Sequence, residues 1–460
     1  MLGCADSECA RCLDHGDGHR FTPPLIGLCS VSCGKFGARE GDAETRGYNI
    51  PSCGCLRANP NILCPLPAKL LELTAMSATP PIYLDHNATS PPTPAVVEAV
   101  RRAMVDAWGN PSSPHVIGRR ARAILANARD AVASLANCDP ERLLFTSGAT
   151  ESCNHLIRAA RRPSAPPPTI ITTTIEHAAV TAACERESRA GRPFTAVGVN
   201  VDGLIDLTSL EDVVSDGNAL VSVQWANNEV GVIQPVKAIA AICARHGAML
   251  HIDACQAFGK LAVDFDALGA DFISVSGHKI GAPTGIGALY VRDCRLLPSM
   301  QVGGEQERAR RAGTENLLGI AGFGAAAAER HAALPTLVPH WEALRAEFEA
   351  ALPTGARVNA MRAPRIANTS SVLFPGVDGA ALIARLDARG ICVSQGSACH
   401  SARPEPSHVL RAIGLSESDA YASVRFSFGA LTTAAEIYEV LRTLGPELNA
   451  VSQRGKAAVA

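Results

Sequence analysis

The sequence predicts an α/β protein built on a mainly parallel sheet, with a second, smaller α/β domain towards the C-terminus. Three observations carry that prediction: short apolar runs alternate with longer amphipathic stretches from residue 82 onward, the runs end in small or polar residues, and after about residue 335 the pattern changes to longer helices with fewer strands. Residues 143–146, 169–174, 219–223, 249–253, 272–276 and 287–291 read as buried strands, because they are short apolar runs that end in small or polar residues. Residues 117–136 and 238–246 repeat apolar positions at helical spacing between them. A parallel sheet collects its ligands beyond the carboxyl ends of its strands. Polar clusters stand there five times in succession: Thr146-Ser-Gly-Ala-Thr-Glu, Glu176-His177, Asn227-Asn228-Glu229, Asp253-Ala-Cys-Gln256 and Ser276-Gly-His-Lys279. Packing alone does not call for such a series.

Composition narrows the function classes. The chain has 460 residues, 47% hydrophobic and 19% charged, ample for a packed core, and a formal net charge of −2 that gives nucleic acid or an acidic membrane surface nothing to bind. No apolar run reaches the roughly 18 residues that span a bilayer, and the first residues have neither the basic nor the apolar part of a secretion signal. A cytoplasmic protein with reduced thiols is expected. Of 16 cysteines, eight fall in the first 64 residues, a stretch without helical or strand periodicity. Cys9, Cys12, Cys29 and Cys33 have a spacing from which zinc or an iron-sulfur cluster can be held. The competing reading is a leader at residues 1–75 that is disordered or not part of the core.

The strand ends carry the chemistry. The chain has only six lysines against many arginines, so a lysine kept among Ser, Gly and His at a strand end is a candidate for Schiff-base chemistry, which a guanidinium cannot perform. A solvated surface lysine is the bland alternative for Lys279. Pyridoxal phosphate needs an acid at its ring nitrogen, a donor at its phenolic oxygen, a flat group on the ring and a cradle for phosphate. Asp253, Gln256 and His177 can supply the first three. Ser147-Gly-Ala-Thr150 opens an amphipathic helix whose free amides, with the Thr150 hydroxyl, can hold phosphate, and Ser276 and His278 can add donors. Further on, Cys399 stands in a Gly/Ser/Pro-rich stretch where a thiol can act as a nucleophile, with His400 or His177 to take its proton. Arg425 lies within an apolar run, where it either clamps a substrate carboxylate or forms a buried structural salt bridge.

These residues resemble a known family. Tyr83-Leu-Asp-His-Asn-Ala-Thr, Asn110-Pro-Ser-Ser, Thr146-Ser-Gly-Ala-Thr-Glu-Ser, Glu176-His, Asn227-Asn-Glu-Val-Gly, His251-Ile-Asp-Ala-Cys-Gln, Ser276-Gly-His-Lys, Arg311-Ala-Gly-Thr-Glu-Asn, Gly396-Ser-Ala-Cys and Arg425-Phe-Ser follow, in order, the pattern of the cysteine desulfurases of the nitrogenase-associated and housekeeping iron-sulfur type, within the class V aminotransferase group. The resemblance implies a fold-type I pyridoxal phosphate enzyme with a seven-stranded sheet. Its expected parts are the leader at 1–75, the start of the small domain at 76–92, a large cofactor-binding domain at 93–335, a small C-terminal domain with the catalytic Cys loop at 336–448, and a tail at 449–460. It further implies a homodimer in which Lys279 carries pyridoxal 5'-phosphate as a Schiff base and His177 stacks on the ring. Asp253, Gln256 and Asn228 would lie about the ring, with Ala149, Thr150, Ser276 and His278 on the phosphate together with Thr314 from the other subunit. Arg425, with Asn228, would hold L-cysteine. Cys399 would take its sulfur as a persulfide, release L-alanine and pass the sulfur to a scaffold or carrier protein for iron-sulfur cluster assembly or a related thiolation, with Cys399 a ligand to a cluster in transfer. A selenocysteine lyase or a class V transaminase would share the cofactor residues, but a transaminase has no need of Cys399. A thiol-rich metal-binding or sulfur-carrier protein would have no need of Lys279, Asp253 and His177.

Overall fold

The computed structural model describes residues 80–214, 217–299, 301–396 and 405–457, which all belong to a compact unit running from Leu73 to Ala460. Cys9, Cys12, Cys29, Cys33 and Cys399 lie outside the described residues. The strands are β1 (Ile82–Tyr83), β2 (Leu143–Thr146), β3 (Thr169–Thr173), β4 (Phe194–Val197), β5 (Ala219–Gln224), β6 (Met249–Asp253), β7 (Phe272–Ser276), β8 (Gly287–Val291), β9 (Arg357–Val358), β10 (Thr369–Leu373), β11 (Ile391–Cys392) and β12 (Ser423–Ser427). Seven of them form one sheet in the order β2-β8-β7-β6-β5-β3-β4. From β4 to β7 every neighbour is parallel; β8 runs antiparallel to both β7 and β2. The mainly parallel sheet that the sequence predicts is therefore present, with the six predicted runs as six of its strands.

The seventh strand, β4, escapes the apolar pattern for a physical reason. It is an edge strand whose Thr195 and Ala196 are exposed, so its residues need not be apolar on both faces. The four helices that follow the first strands are α1 (Pro94–Asp106), α2 (Val116–Ala136), α3 (Ala149–Ala159) and α4 (Ala178–Arg189). The helix expected at 238–246 starts two residues earlier, at Val236, just after Pro235.

Side chains alternate across the sheet, and the two faces differ in character. Val221, Val223, Leu250, Ile252, Ile273 and Val275 enter the larger apolar cluster, which α2 covers with Ala128, Val132 and Leu135. Leu220, Met249 and Phe272 point the other way, onto Leu156 and Ile157 of α3 and Val180 of α4. On that second face the alternation places Ser222, Gln224, His251, Asp253, Ser274 and Ser276 after the apolar residues, so the face turns polar towards the strands' carboxyl ends.

A second assembly contains β9, β10 and β12 as an antiparallel sheet, and β1 pairs in parallel with β11. Single bridges from Asp85 to Ser427 and from Ser394 to Arg425 join the two. The helix Leu317–Ala350 serves both cores: Ile320 and Phe323 belong to the large-sheet cluster, Leu337, Trp341 and Phe348 to the cluster under β10 and β12. Residue 335, where the sequence pattern changes, thus falls within a continuous helix. Phe348 is fully buried between Phe426 and Phe428, with ring centroids at 4.7 and 5.9 Å. Removing that ring leaves a cavity that rigid neighbours cannot refill, so Phe348→Ala is expected to cost about 3–5 kcal/mol of stability, read from the midpoint of chemical denaturation.

Candidate active site

The fold brings the polar strand ends to one edge of the sheet. Ser276 ends β7, and the short helical turn Gly277–Ile280 that follows carries His278 and Lys279. Beside it, α3 begins at Ala149 with Gly148 before it and no side-chain cap. The Ala149 amide donates to Ser276 Oγ at 3.0 Å, which joins the start of α3 to the end of β7. With Thr150 exposed at the same helix end, the positive end of the helix dipole and these hydroxyls make a cradle for an anion.

His177 stands just before α4 and accepts the Ala179 amide through Nδ1 at 3.1 Å, so its remaining proton is on Nε2. Burial first, and the nearby Lys279 with it, holds its pKa below the usual histidine value. His278 is pushed down to about 4 by burial and by Lys279 and Lys260, and its Nδ1 lies 3.3 Å from Thr89 Oγ1. Both rings are neutral at neutral pH. Asp253 ends β6, is 6% exposed, and accepts the Cys255 amide at 3.0 Å.

Lys279 lies among these groups without a carboxylate on its nitrogen. Its Nζ donates to the backbone carbonyls of Asn87 and Ala88 at 2.7 and 2.8 Å. Burial lowers its pKa and the Arg425 charge adds to that, while Asp253 and Asp85 oppose. A half-buried amine held by carbonyls alone is easier to deprotonate, which is what a nucleophilic lysine requires.

Asn87 connects most of the site. Its carbonyl also accepts Gln256 Nε2 at 3.0 Å, and its own Nδ2 donates to Asn228 O at 3.2 Å and Thr369 Oγ1 at 2.8 Å. Asn228 O in turn accepts Arg425 Nη1 at 2.8 Å. Arg425 is 3% exposed and pairs with Asp85 through Nη2 at 2.6 Å. Its Nε is buried and has no partner. The guanidinium therefore forms a structural salt bridge and has one donor left without a partner.

Behind this layer lie buried titratable groups. His251 bridges β5 and β7, with Nδ1 at 2.8 Å from Ser222 Oγ and Nε2 at 3.0 Å from Ser274 Oγ, and burial pushes its pKa down to about 4. Glu176, fully buried beside His177, accepts Thr173 Oγ1 at 2.6 Å through Oε1, and its Oε2 has no partner. Burial pushes its pKa up to about 8. Glu229 is likewise raised by burial; it accepts Ser407 Oγ at 2.5 Å. Gly396 packs against it: at φ +100°, a Cβ there would meet Glu229 Oε2 at 2.7 Å.

Hydrogen bonds thus connect Lys279, Gln256, Asn228 and Arg425 through Asn87, and separately Ala149 to Ser276. Thr314 is exposed and makes no hydrogen bond to these groups among the described residues, and the four leader cysteines lie outside those residues. Among the described residues no cluster of His, Cys, Asp or Glu could hold a metal ion, and no helix is long and apolar enough to cross a membrane. Sequence reasoning gave no role to Asn87, Asp85, Glu229 or Lys260. Asn87 and Asp85 sit in the quoted motif after Tyr83, but their partners are hundreds of residues away and leave no local signal.

Comparison with known proteins gives concordant results. The class-V aminotransferase family pattern matches residues 82–440. A cysteine desulfurase of Nostoc sp. is 41% identical over 370 residues, covering 80% of this chain and 92% of that protein. The mitochondrial cysteine desulfurase of Saccharomyces cerevisiae is 39% identical over 373 residues, covering 80% of this chain and 74% of that protein. Among solved structures, a NifS-like protein superposes with a TM-score of 0.74 at 33% identity, covering 80% of this chain and 99% of the other, and SspA in complex with cysteine does so with 0.67 at 32%, covering 76% and 100%.

The buried Glu176 gives a test of the site's electrostatics. A carboxyl that ionises at an ordinary 4.5 when unfolded and at about 8 when folded keeps its proton only in the folded state between those values. Its contribution to stability is therefore intact below 4.5 and is lost as pH rises towards 8. Relative to Glu176→Gln, the wild type is expected to lose unfolding free energy across this window at a slope approaching 1.4 kcal/mol per pH unit, roughly. Denaturation curves that run parallel for the two proteins would contradict it.

Proposed function

The chain belongs to the class-V aminotransferase family, among its cysteine desulfurases, and from that premise we propose that Lys279 carries pyridoxal phosphate, Arg425 holds the carboxylate of L-cysteine and Cys399 takes the substrate's sulfur. The observation that carries the reading is the Lys279 amine, half-buried, lowered in pKa and held only by two backbone carbonyls beside Asp253 and Arg425. The residues fit the cofactor. The uncapped start of α3 with Ala149, Thr150 and Ser276 suits a phosphate, with His278 near it and Thr314 contributed by a second subunit. Asp253 suits a protonated ring nitrogen, Gln256 and Asn228 the ring oxygen, and the neutral ring of His177 suits a stacking face. Bound there, pyridoxal phosphate supplies an electron sink next to the substrate's α-carbon.

The chain's own groups then do the rest. Arg425 offers its unpartnered Nε to the substrate carboxylate, which fixes the amino acid's orientation. Lys279, as a free amine, takes the α-proton and returns a proton to the carbon skeleton. The Cys399 thiolate attacks the substrate sulfur: an S–S bond forms, the C–S bond breaks with its electron pair left on carbon, and that carbon takes a proton. The products are a persulfide on Cys399 and L-alanine, so the sulfur is oxidised to the sulfane level and the carbon reduced in equal measure. A homodimer, a cytoplasmic location, and a scaffold or carrier protein that accepts the sulfur for iron-sulfur assembly or thiolation belong to the same proposal.

Purified protein with L-cysteine and a reductant is expected to release sulfide and alanine in equal amounts; alanine without sulfide, or turnover of L-selenocysteine alone, overturns the desulfurase reading. Cys399→Ser is expected to keep the cofactor's visible absorption and yield no alanine. Arg425→Lys keeps a charge but loses the Nε donor of the guanidinium, and is expected to raise KM for L-cysteine about 10–100-fold, more than it lowers kcat.

A further inference from the structure

Lys260 is 2% exposed, and both groups that its Nζ meets are neutral. It donates to Asn87 Oδ1 at 2.7 Å and to Gln256 Oε1. Gly259 makes this approach possible: at φ +70° its missing Cβ would stand 2.7 Å from Ile280, the residue after Lys279. An ammonium has three hydrogens to satisfy, an amine two and a lone pair. Two acceptors match the amine. Burial drives the group the same way, reinforced by the nearby charges of Lys279, Arg330 and Arg425.

The consequence lies in the partners. The Asn87 carbonyl can only accept, so it holds Gln256 Nε2 at 3.0 Å, while a Lys260 hydrogen meets Oε1 on the other side; together the two contacts fix the amide in one orientation and leave the second Nε2 hydrogen free. Turned over, Gln256 would present an oxygen to the ring oxygen of the cofactor instead of a donor. The same Asn87 carbonyl receives Lys279 Nζ. We propose that Lys260 is a positioning residue: by donating to Gln256 and Asn87 it fixes which side of the Gln256 amide meets bound pyridoxal phosphate, and it steadies the carbonyl on which Lys279 rests.

This rests on the functional reading above, and the test separates the two. Holoprotein is prepared as wild type, Lys260→Met, Gln256→Ala and the double variant, and the pH midpoint of the bound cofactor's visible absorbance is measured in each, with the melting temperature of the apoproteins alongside. Lys260→Met is expected to shift the midpoint by about one pH unit in the wild-type background and by much less where Gln256 is already absent, because the two act through one contact. Equal shifts in both backgrounds, or a lowered melting temperature with no shift of the midpoint, reduce Lys260 to a packing residue and overturn the inference. Should Lys260→Met not fold, the shorter but polar Lys260→Gln takes its place, with the same coupled shift expected and its absence equally decisive. Wild-type protein that takes up no pyridoxal phosphate overturns the functional reading itself, whereas a loaded wild type with an uncoupled cycle overturns only the role of Lys260.

Discussion

The backbone carbonyl of Asn87 accepts Lys279 Nζ at 2.7 Å and Gln256 Nε2 at 3.0 Å, and so ties the segment after β1 to two ends of the large sheet that lie 192 and 169 residues further along the chain. The side chain of the same residue reaches Thr369 of β10 and the Asn228 carbonyl. Without that residue in that position, the lysine and the amide would each lose a partner that no neighbouring side chain is seen to replace. The site is therefore assembled by long-range closure: neither the seven-stranded sheet nor the smaller antiparallel one contains it alone. That explains why β1, only two residues long, is held by pairing with β11 and by the Asp85 bridge to Ser427.

Charge is the second constraint, because cations outnumber their counter-ions here. Lys260, Lys279 and Arg425 crowd one another, and burial works against all charged forms. Arg425 cannot shed its proton, so it takes Asp85 as its ion-pair partner. The lysines can, and their acceptors are neutral amides and carbonyls. The arrangement thus sorts the three by chemistry: one permanent cation suited to a carboxylate, and two lysines whose pKa burial lowers. Of the two sequence readings of Arg425, the salt bridge is present, with Asp85, and the clamp is the one proposed for its unpartnered Nε.

Much of the fold was legible because buried parallel strands must be apolar on both faces, and six such runs stand out from their surroundings. The edge strand β4 was not, since solvent on its outer side relaxes the requirement at Thr195 and Ala196. At the site, Asp253, Gln256, Ser276 and Lys279 were legible because each ends or closely follows an apolar run. Asn87 and Lys260 were not, for the reason that their chemistry lies in contacts 4 to 282 residues away, and a lysine in a sequence looks the same whether its nitrogen meets water or an amide oxygen.

The polar half of the sheet's second face extends this argument beneath the site. His251, locked between Ser222 and Ser274, has its pKa pushed down to about 4, and Glu176, with its own pKa pushed up to about 8, keeps its proton at neutral pH. Both groups are uncharged there because nothing solvates or ion-pairs them, so His251 links two strands and Glu176 closes its own turn without adding field. A neutral underlayer matters to what lies above it: the few charges that remain, Asp253 and Arg425 foremost, act at short range in a poorly screened setting. The fold thereby confines charge to the side chains that would meet a ligand, and leaves the supporting layer to hydrogen bonds between neutral groups.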